Sequence, residues 1–254
     1  GEKPMESTIN PSSNIYLSII LPAHNEEKRL PICLEKVIAF VSSLRFPFEV
    51  IVVENGSVDQ TLAIATEYAK RYDWLRVLQN SKPGKGLAVR TGMLAAKGEY
   101  RFFADVDFSM PIEEILNFLP PKLSGYDIAI GSREVKGSIR YNEPPIRHLT
   151  GRVFNQIVRL MTVHNIQDTQ CGFKCFKASA AEKIFSVQVL DGWAFDAEVL
   201  YIAQKNGFKI VEVPVRWYYD GQSKVHVLND SVKMFRELLQ IRRNEKSGIY
   251  KIEQ

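Results

Sequence analysis

An α/β fold, a mainly parallel sheet with helices on both faces, is what this sequence predicts. Two observations carry the prediction. In the first half, short apolar runs rich in β-branched residues alternate with longer segments of helical period. Those apolar runs are continuous rather than alternating, as expected of strands covered on both faces. A third feature fits them: polar clusters follow three of the strands, and such sheets bind ligands beyond the carboxyl ends of their strands.

Taken in order, 16–23 (YLSIILPA) is a buried strand followed by a helix over 27–43. The run 48–54 (FEVIVVE) is the next strand and 59–72 the next helix. A shorter strand at 75–79 leads to a helix at 86–97, and a strand at 100–104 runs into Asp105. The segment 126–131 (YDIAIG) closes this half. Beyond it the pattern is less regular. A turn at Pro144-Pro145 precedes a helix over 146–163, then come the segment 168–176, helices near 178–185 and 195–206, and a strand at 209–215.

The chain has 254 residues, 45% hydrophobic, 11% aromatic and 24% charged, which excludes disordered, fibrous and mini-protein classes. Lys+Arg 33 against Asp+Glu 29 leaves +4, too little to argue for a nucleic-acid partner. Cys33, Cys171 and Cys175 are odd in number and lack zinc-finger spacing, so buried thiols in a reducing compartment are expected. No stretch reaches the roughly 20 apolar residues of a spanning helix, and no leader opens the chain, so a soluble or peripheral protein is expected. An anchor removed from either end would leave no trace here.

The polar clusters are His24-Asn25-Glu26, Glu54-Asn55-Gly56-Ser57 and Asp105-Val106-Asp107. Each alone reads equally as a turn or a cap; three at equivalent strand ends point to a polar ligand. Asp105 and Asp107 stand two apart in an extended stretch, so their carboxylates share a face and suit Mg²⁺ or Mn²⁺ on a diphosphate. Lys82-Pro83-Gly84-Lys85-Gly86 opens a helix with free N–H groups, a positive helix end and two lysines, all suited to phosphate; a purely structural glycine-rich entry has the same sequence. Neither a Walker loop nor Gly-x-Gly-x-x-Gly is present, which disfavours a nicotinamide enzyme.

In this order, 21–26 (LPAHNE), 53–61 (VENGSVDQT), 82–92 (KPGKGLAVRTG), Asp105-Val106-Asp107 and Gly131-Ser132-Arg133 resemble the inverting family 2 glycosyltransferases of GT-A fold. Farther on, 168–174 (DTQCGFK), 193–200 (WAFDAEVL) and 221–225 (GQSKV) are similar to the subgroup that makes dolichyl-phosphate glucose, with much shared by polyprenyl-phosphate mannose synthases. The likeness runs from residue 15 to about 243 and implies one catalytic domain there. Its nucleotide-sugar half is 15–133 and its acceptor half 134–243, with tails at 1–14 and 244–254.

The resemblance further implies a nucleoside site lined by Pro22, Ala23, Asn25 and Glu26, with Glu54 and Asn55 at the second strand end. Lys85 and Gly86 meet the diphosphate, and Asp105, Val106 and Asp107 meet the nucleotide and its Mg²⁺ or Mn²⁺. Glu54-Asn55 departs from the family's usual Asp-Asp, which leaves uridine against guanosine open. Arg133, Arg147, Arg152 and Lys224 are the implied cations for an acceptor phosphate, and Asp168, Gln170 and Trp193 shape the sugar pocket. Asp196 matches an acidic position used near the acceptor, as base or orienting group; a helix N-terminal acid is the alternative. Catalysis would fall to Asp105, Asp107, Asp196 and Arg133. The expected activity is transfer of a hexose, glucose from UDP-glucose, to a polyprenyl phosphate such as dolichyl phosphate. Alternatives are GDP-mannose as donor, a saccharide acceptor, or a non-catalytic nucleotide-sugar binder.

The segment 146–163 sets Leu149, Val153, Ile157, Leu160 and Met161 on one stripe and His148, Arg152, Gln156 and Arg159 on another. The segment 228–243 sets Val232, Phe235, Leu238 and Leu239 on one face, with Arg236, Arg242 and Arg243 near its end. Such helices either cover a core or lie in a membrane interface. Peripheral attachment to the cytoplasmic side of a membrane is the expectation, and the oligomeric state is left open.

Overall fold

A computed structural model describes residues 14–219 and 227–252. Its seven-stranded sheet has the order β3-β2-β1-β4-β7-β5-β8, formed by β1 (Leu17–Ala23), β2 (Phe48–Asn55), β3 (Leu75–Asn80), β4 (Tyr100–Ala104), β5 (Ile128–Ser132), β7 (Phe173–Lys177) and β8 (Ile210–Pro214). A small second sheet pairs β6 (Ile139–Tyr141) with β9 (Arg216–Tyr218). Pairing is parallel from β3 through β4 and between β5 and β8, while β7 runs antiparallel to both of its neighbours. The expected α/β architecture with a mainly parallel sheet is the one found.

The helices are α1 (Leu30–Val41), α2 (Thr61–Arg71), α3 (Lys85–Ala95), α4 (Pro145–Met161), α5 (Ala178–Val187), α6 (Phe195–Lys205) and α7 (Val227–Lys246), with a 3-10 segment at Ile112–Phe118. Successive strand side chains point to opposite faces, which explains the continuous apolar strands. Leu17, Ile19, Leu21, Val50 and Val52 pack under α1, whereas Ile20, Ile51, Val53 and Phe103 pack under α3, α5 and α6. Burying each such side chain fully is worth about 1.5–3 kcal/mol.

The half expected to hold the acceptor contributes strands to the central sheet, with β7 between β4 and β5. Residues 244–252, expected within a tail, pack onto the domain. Helix α7 continues to Lys246, and Tyr250 is buried, donating its hydroxyl to Glu198 Oε1 at 2.7 Å and accepting from Asn244 at 2.9 Å. Contacts with the end of α6 add to these: Asn206 Nδ2 donates to the Tyr250 carbonyl at 3.0 Å, and the Ile252 N–H donates to Asn206 Oδ1 at 3.3 Å.

The two amphipathic helices turn their apolar stripes outward. On α4, Leu149, Val153, Ile157 and Leu160 are exposed, while Val158 on the opposite side is buried. On α7, Val232, Phe235 and Leu239 are exposed, whereas Leu238, expected beside them, joins Met234 and Ile241 in the core. None of the helices among the described residues is long and apolar enough to cross a membrane.

Candidate active site

The switch point lies between β1 and β4: from β1 the chain runs outward through β2 and β3 and then crosses back to β4 on the other side of β1, an order that opens a crevice at the strand ends. Register sets Ala23 opposite Glu54 and Asn55 opposite Asn80, so the polar clusters stand side by side. Asn25, with a φ of 52°, turns the chain out of β1. Its Oδ1 accepts the Val58 N–H at 2.9 Å and its own N–H donates to Ser57 Oγ at 3.0 Å. The Glu26 N–H donates to Thr61 Oγ1 at 2.8 Å, and Glu26 lies 3.9 Å from Arg29. Ala23 is buried in the core, and Pro22 beside it is half-buried.

Glu54 and Asn55 are both buried and have structural work. Glu54 Oε1 accepts the Ser57 N–H at 2.5 Å. Asn55 Nδ2 donates to the Gly84 carbonyl at 2.7 Å, its Oδ1 accepts from Asn80 at 3.2 Å, and its own carbonyl lies 2.8 Å from His24 Nδ1. Only an amide can both donate to Gly84 and accept from Asn80; a carboxylate would face the Gly84 oxygen with no proton. That accounts for Asn where the family usually has Asp.

Beyond β4, the Asp105 N–H donates to the Gly172 carbonyl at 3.0 Å, and the carboxylate accepts Lys85 Nζ at 2.7 Å. Val106 turns into the core, which removes its side chain from the donor site expected for it. Asp107 Oδ1 accepts the Ser109 N–H at 3.0 Å, and Phe108 between them takes a φ of 43°. Burial, then the like charge of Asp105, raises the Asp107 pKa. Burial opposes the Lys85 charge, but Asp105, Asp196 and Asp107 outweigh it and raise its pKa. Lys85 also stands 5.2 Å from the centre of the half-buried Trp193 ring.

Among the described residues no group of three His, Cys, Asp or Glu side chains could close around a metal ion. Asp105 and Asp107 together fit Mg²⁺ or Mn²⁺, hard cations that take one or two carboxylates and complete their shell with phosphate oxygens and water. The like charge of Asp105 weighs on the partly buried Asp107, and a divalent cation held by both would relieve it.

The helix entry differs from expectation. The Gly86 and Leu87 N–H groups donate to the Asp191 carbonyl at 2.9 and 3.3 Å, so they are already used within the protein. Gly86 is there for close packing, since a Cβ would strike the Leu190 oxygen and Phe195. Asp191, which the sequence did not single out, also binds Lys82 at 2.9 Å and Arg90 at 2.8 Å through its carboxylate. Lys85, by contrast, turns its ammonium to Asp105.

Arg133 and Asp168 form one bidentate pair, Nε to Oδ2 at 2.7 Å and Nη2 to Oδ1 at 2.9 Å, with the Arg133 N–H on Oδ2 at 2.9 Å. Burial alone would raise the Asp168 carboxyl, yet Arg133 brings it down to about 2. The Gln170 N–H donates to Asp168 Oδ1 at 3.3 Å. Both groups expected to face ligand are thus largely spent on each other, and the Arg133 guanidinium lies 5.5 Å from the Trp217 ring. Beside them Arg140, missed in the sequence, pairs with Glu134 and, at 2.7 Å, with Glu143; His148 and Arg152 approach Glu134 at 4.0 Å. Arg152 is well exposed. The Arg147 side chain and Lys224 lie outside the described residues.

Asp196 sits in the first turn of α6, buried, with Oδ1 accepting Lys174 Nζ at 2.5 Å. Burial raises its pKa against the pull of Lys174 and Lys85. Asp196 is thus buried and held by an ion pair in the first turn of its helix.

A family profile described as Glycosyl transferase family 2 matches residues 18–185. The chain is 36% identical over 270 residues to a dolichyl-phosphate beta-glucosyltransferase of Homo sapiens, covering 100% of this chain and 83% of that one. It is 35% identical over 259 residues to the Dictyostelium discoideum dolichyl-phosphate beta-glucosyltransferase, covering 96% and 79%. Among solved structures, glucosyl-3-phosphoglycerate synthase from Mycobacterium tuberculosis, in complex with Mn²⁺, UDP and phosphoglyceric acid, superposes with a TM-score of 0.64 at 19% identity, covering 94% and 80%. At that identity the likeness is one of fold.

Proposed function

The chain belongs to glycosyl transferase family 2, and on that premise we propose that it is an inverting transferase moving glucose from UDP-glucose to dolichyl phosphate at a membrane surface. One observation carries the proposal: a chain similar over nearly its whole length to dolichyl-phosphate beta-glucosyltransferases places Asp105, Asp107 and Lys85 together at the switch point of its sheet.

An oxygen of the lipid phosphate attacks the anomeric carbon opposite the diphosphate; the new C–O bond forms as the bond to UDP breaks, inverting configuration. The acceptor phosphate is already ionised near neutral pH, so no strong base is required, in keeping with the buried, paired Asp196. Lys85 supplies positive charge to the departing diphosphate, and Asp105 holds Lys85 in place. When bound, Mg²⁺ or Mn²⁺ on Asp105 and Asp107 adds charge to the same leaving group. Arg152, with Arg147 and Lys224, serves the acceptor phosphate, while Arg133 orders the wall behind it through Asp168.

The outward apolar stripes of α4 and α7, flanked by exposed Arg152, Arg236 and Arg243, support attachment in the membrane interface, where the lipid phosphate resides. The three free, buried cysteines fit a reducing compartment, and we place the protein on the cytoplasmic side.

The test combines purified protein, Mn²⁺, labelled UDP-glucose and short-chain dolichyl phosphate, with GDP-mannose and a saccharide acceptor as parallel arms. Organic-extractable product from UDP-glucose is expected, with turnover reduced about 100-fold or more in Asp105→Ala. Labelling only from GDP-mannose, or only of the saccharide, would refute the assignment.

A further inference from the structure

Lys174 is the one lysine among the described residues that the fold buries completely, at 0% exposure in the middle of the sheet. It lies on β7, with Nζ donating to the Cys171 carbonyl at 2.6 Å and to Asp196 Oδ1 at 2.5 Å, and it stands 5.4 Å from the Phe103 ring centre. Register sets Lys174 between Phe103 of β4 and Ile130 of β5, both apolar. Stability does not explain a cation there. Desolvating both members of a buried pair is expensive, and a well-packed apolar replacement of the pair is often neutral or stabilising.

Its surroundings suggest another reason. Gly86, next in the chain to Lys85, packs so closely on Phe195, next to Asp196, that a Cβ on it would lie 2.6 Å from the Phe195 Cβ, so the two ion pairs adjoin; Asp196 feels Lys85 as well as Lys174, and Lys85 feels Asp196 as well as Asp105. The charges therefore alternate from the crevice into the core: Asp105, Lys85, Asp196, Lys174. Asp105 and Asp196 both attract Lys85, and Lys174 offsets the charge of Asp196. Without its inner partner, Asp196 would be an uncompensated buried carboxylate that attracts the Lys85 ammonium. Lys85 would then be drawn inward, away from Asp105 and the diphosphate.

We propose that Lys174 is a positioning residue of the transfer site: seated against Asp196, its charge cancels the pull of that carboxylate and leaves Lys85 on Asp105, where the diphosphate departs. This gives the buried Asp196 a balancing role without proton transfer. It rests on the donor site assigned above, but needs only that the site binds a uridine diphosphate.

The experiment compares native protein, Lys174→Met and Lys174→Met/Asp196→Asn, reading metal-free UDP affinity by calorimetry, thermal unfolding, and glucosyl transfer with separate kcat and KM for the lipid phosphate. In Lys174→Met, UDP affinity should fall about tenfold and kcat about 30-fold, with KM for lipid phosphate within about twofold, because only the diphosphate side is disturbed. Neutralising Asp196 as well removes the pull, so the double variant should regain UDP affinity and kcat to within about fivefold of native. A merely structural pair would also recover in the double variant, but its UDP affinity, kcat and lipid-phosphate KM would then all follow thermal stability, whereas the positioning role predicts loss of UDP affinity and kcat at unchanged KM; an Asp196 general base predicts an inactive double variant. Lys174→Met with native UDP affinity and kcat, or a double variant no better than Lys174→Met, overturns the proposal. Should Lys174→Met fail to fold, Lys174→Gln takes its place in the same comparison: UDP affinity and kcat lost at unchanged KM and regained in Lys174→Gln/Asp196→Asn support the proposal, and native UDP affinity in Lys174→Gln overturns it. If native protein does not glucosylate dolichyl phosphate, the assigned acceptor fails, and the UDP-binding comparison still tests Lys174.

Discussion

Replacing Gly172 by Ala should inactivate the protein with only a modest loss of stability. The Gly172 carbonyl takes the Asp105 N–H at 3.0 Å, and a Cβ added to Gly172 would fall within the Asp105 carboxylate. The methyl can be accommodated only if that carboxylate swings away or β7 shifts. Swinging breaks the 2.7 Å contact with Lys85 and separates Asp105 from Asp107 as a metal-holding pair. Overpacking of this kind costs about 1–3 kcal/mol. At roughly 2–4 °C per kcal/mol for a chain of this size, Tm should fall by 2–12 °C. A displacement near 1 Å at the reacting centre costs about 100-fold in rate, equivalent to about 2.7 kcal/mol of barrier. The assay is Mn²⁺-dependent transfer from labelled UDP-glucose to short-chain dolichyl phosphate, with Mn²⁺ titrated. Expected are a kcat/KM about 100-fold lower and a raised Mn²⁺ requirement. On an Asp105→Ala background the same substitution should cost less than about threefold, because its target is gone. A Gly172→Ala variant that keeps kcat/KM within threefold of native would refute the role given to the Asp105 position.

Three further outcomes are expected. Asn55→Asp, which restores the residue usual in the family, should here remove the donor to Gly84 and lower stability by about 1–3 kcal/mol, with weaker UDP binding, read by denaturant unfolding and calorimetry. The Asp168 carboxyl, lowered in the fold from 3.8 to about 2 by Arg133 although burial opposes it, should contribute about 2 kcal/mol at neutral pH. Because the folded pKa is the lower one, that contribution is complete above pH 4 or so and disappears as pH falls toward 2; acid unfolding of Asp168→Asn should lack this component. Leu160→Glu combined with Phe235→Glu changes two exposed apolar side chains and should leave Tm within about 2 °C, as surface substitutions do, while abolishing co-sedimentation with anionic vesicles. Undiminished vesicle binding would remove α4 and α7 as the attachment surface.

Much of the fold was legible in the chain because it is written in local pattern. Continuous β-branched runs predict strands covered on both faces, and the helices between them follow from period, so β1 to β4 and α1 to α3 came out in place to within a few residues. That Asp105 and Asp107 stand just beyond a strand end, where an α/β sheet can bind ligand, was legible too. What a side chain does once there was not. Gly86 closes a packing contact instead of cradling phosphate, Arg133 is spent on Asp168, and Asn55 holds the Gly84 loop. Each depends on a partner distant in sequence.

The amphipathic stripes mark the same division. Periodicity placed Leu149, Val153, Ile157 and Leu160 on one side of α4 but left open whether that side met the core or solvent. The tertiary structure decided for solvent and moved Leu238 of α7 inward. By itself the sequence determined which elements form and which chemical groups stand at the strand ends, because propensity and period act over a few neighbouring residues. Tertiary structure alone decided which charges pair, which face of α4 and α7 is covered, and that Lys174 is buried beside Asp196, because pairing and desolvation depend on groups brought together only by the folded sheet.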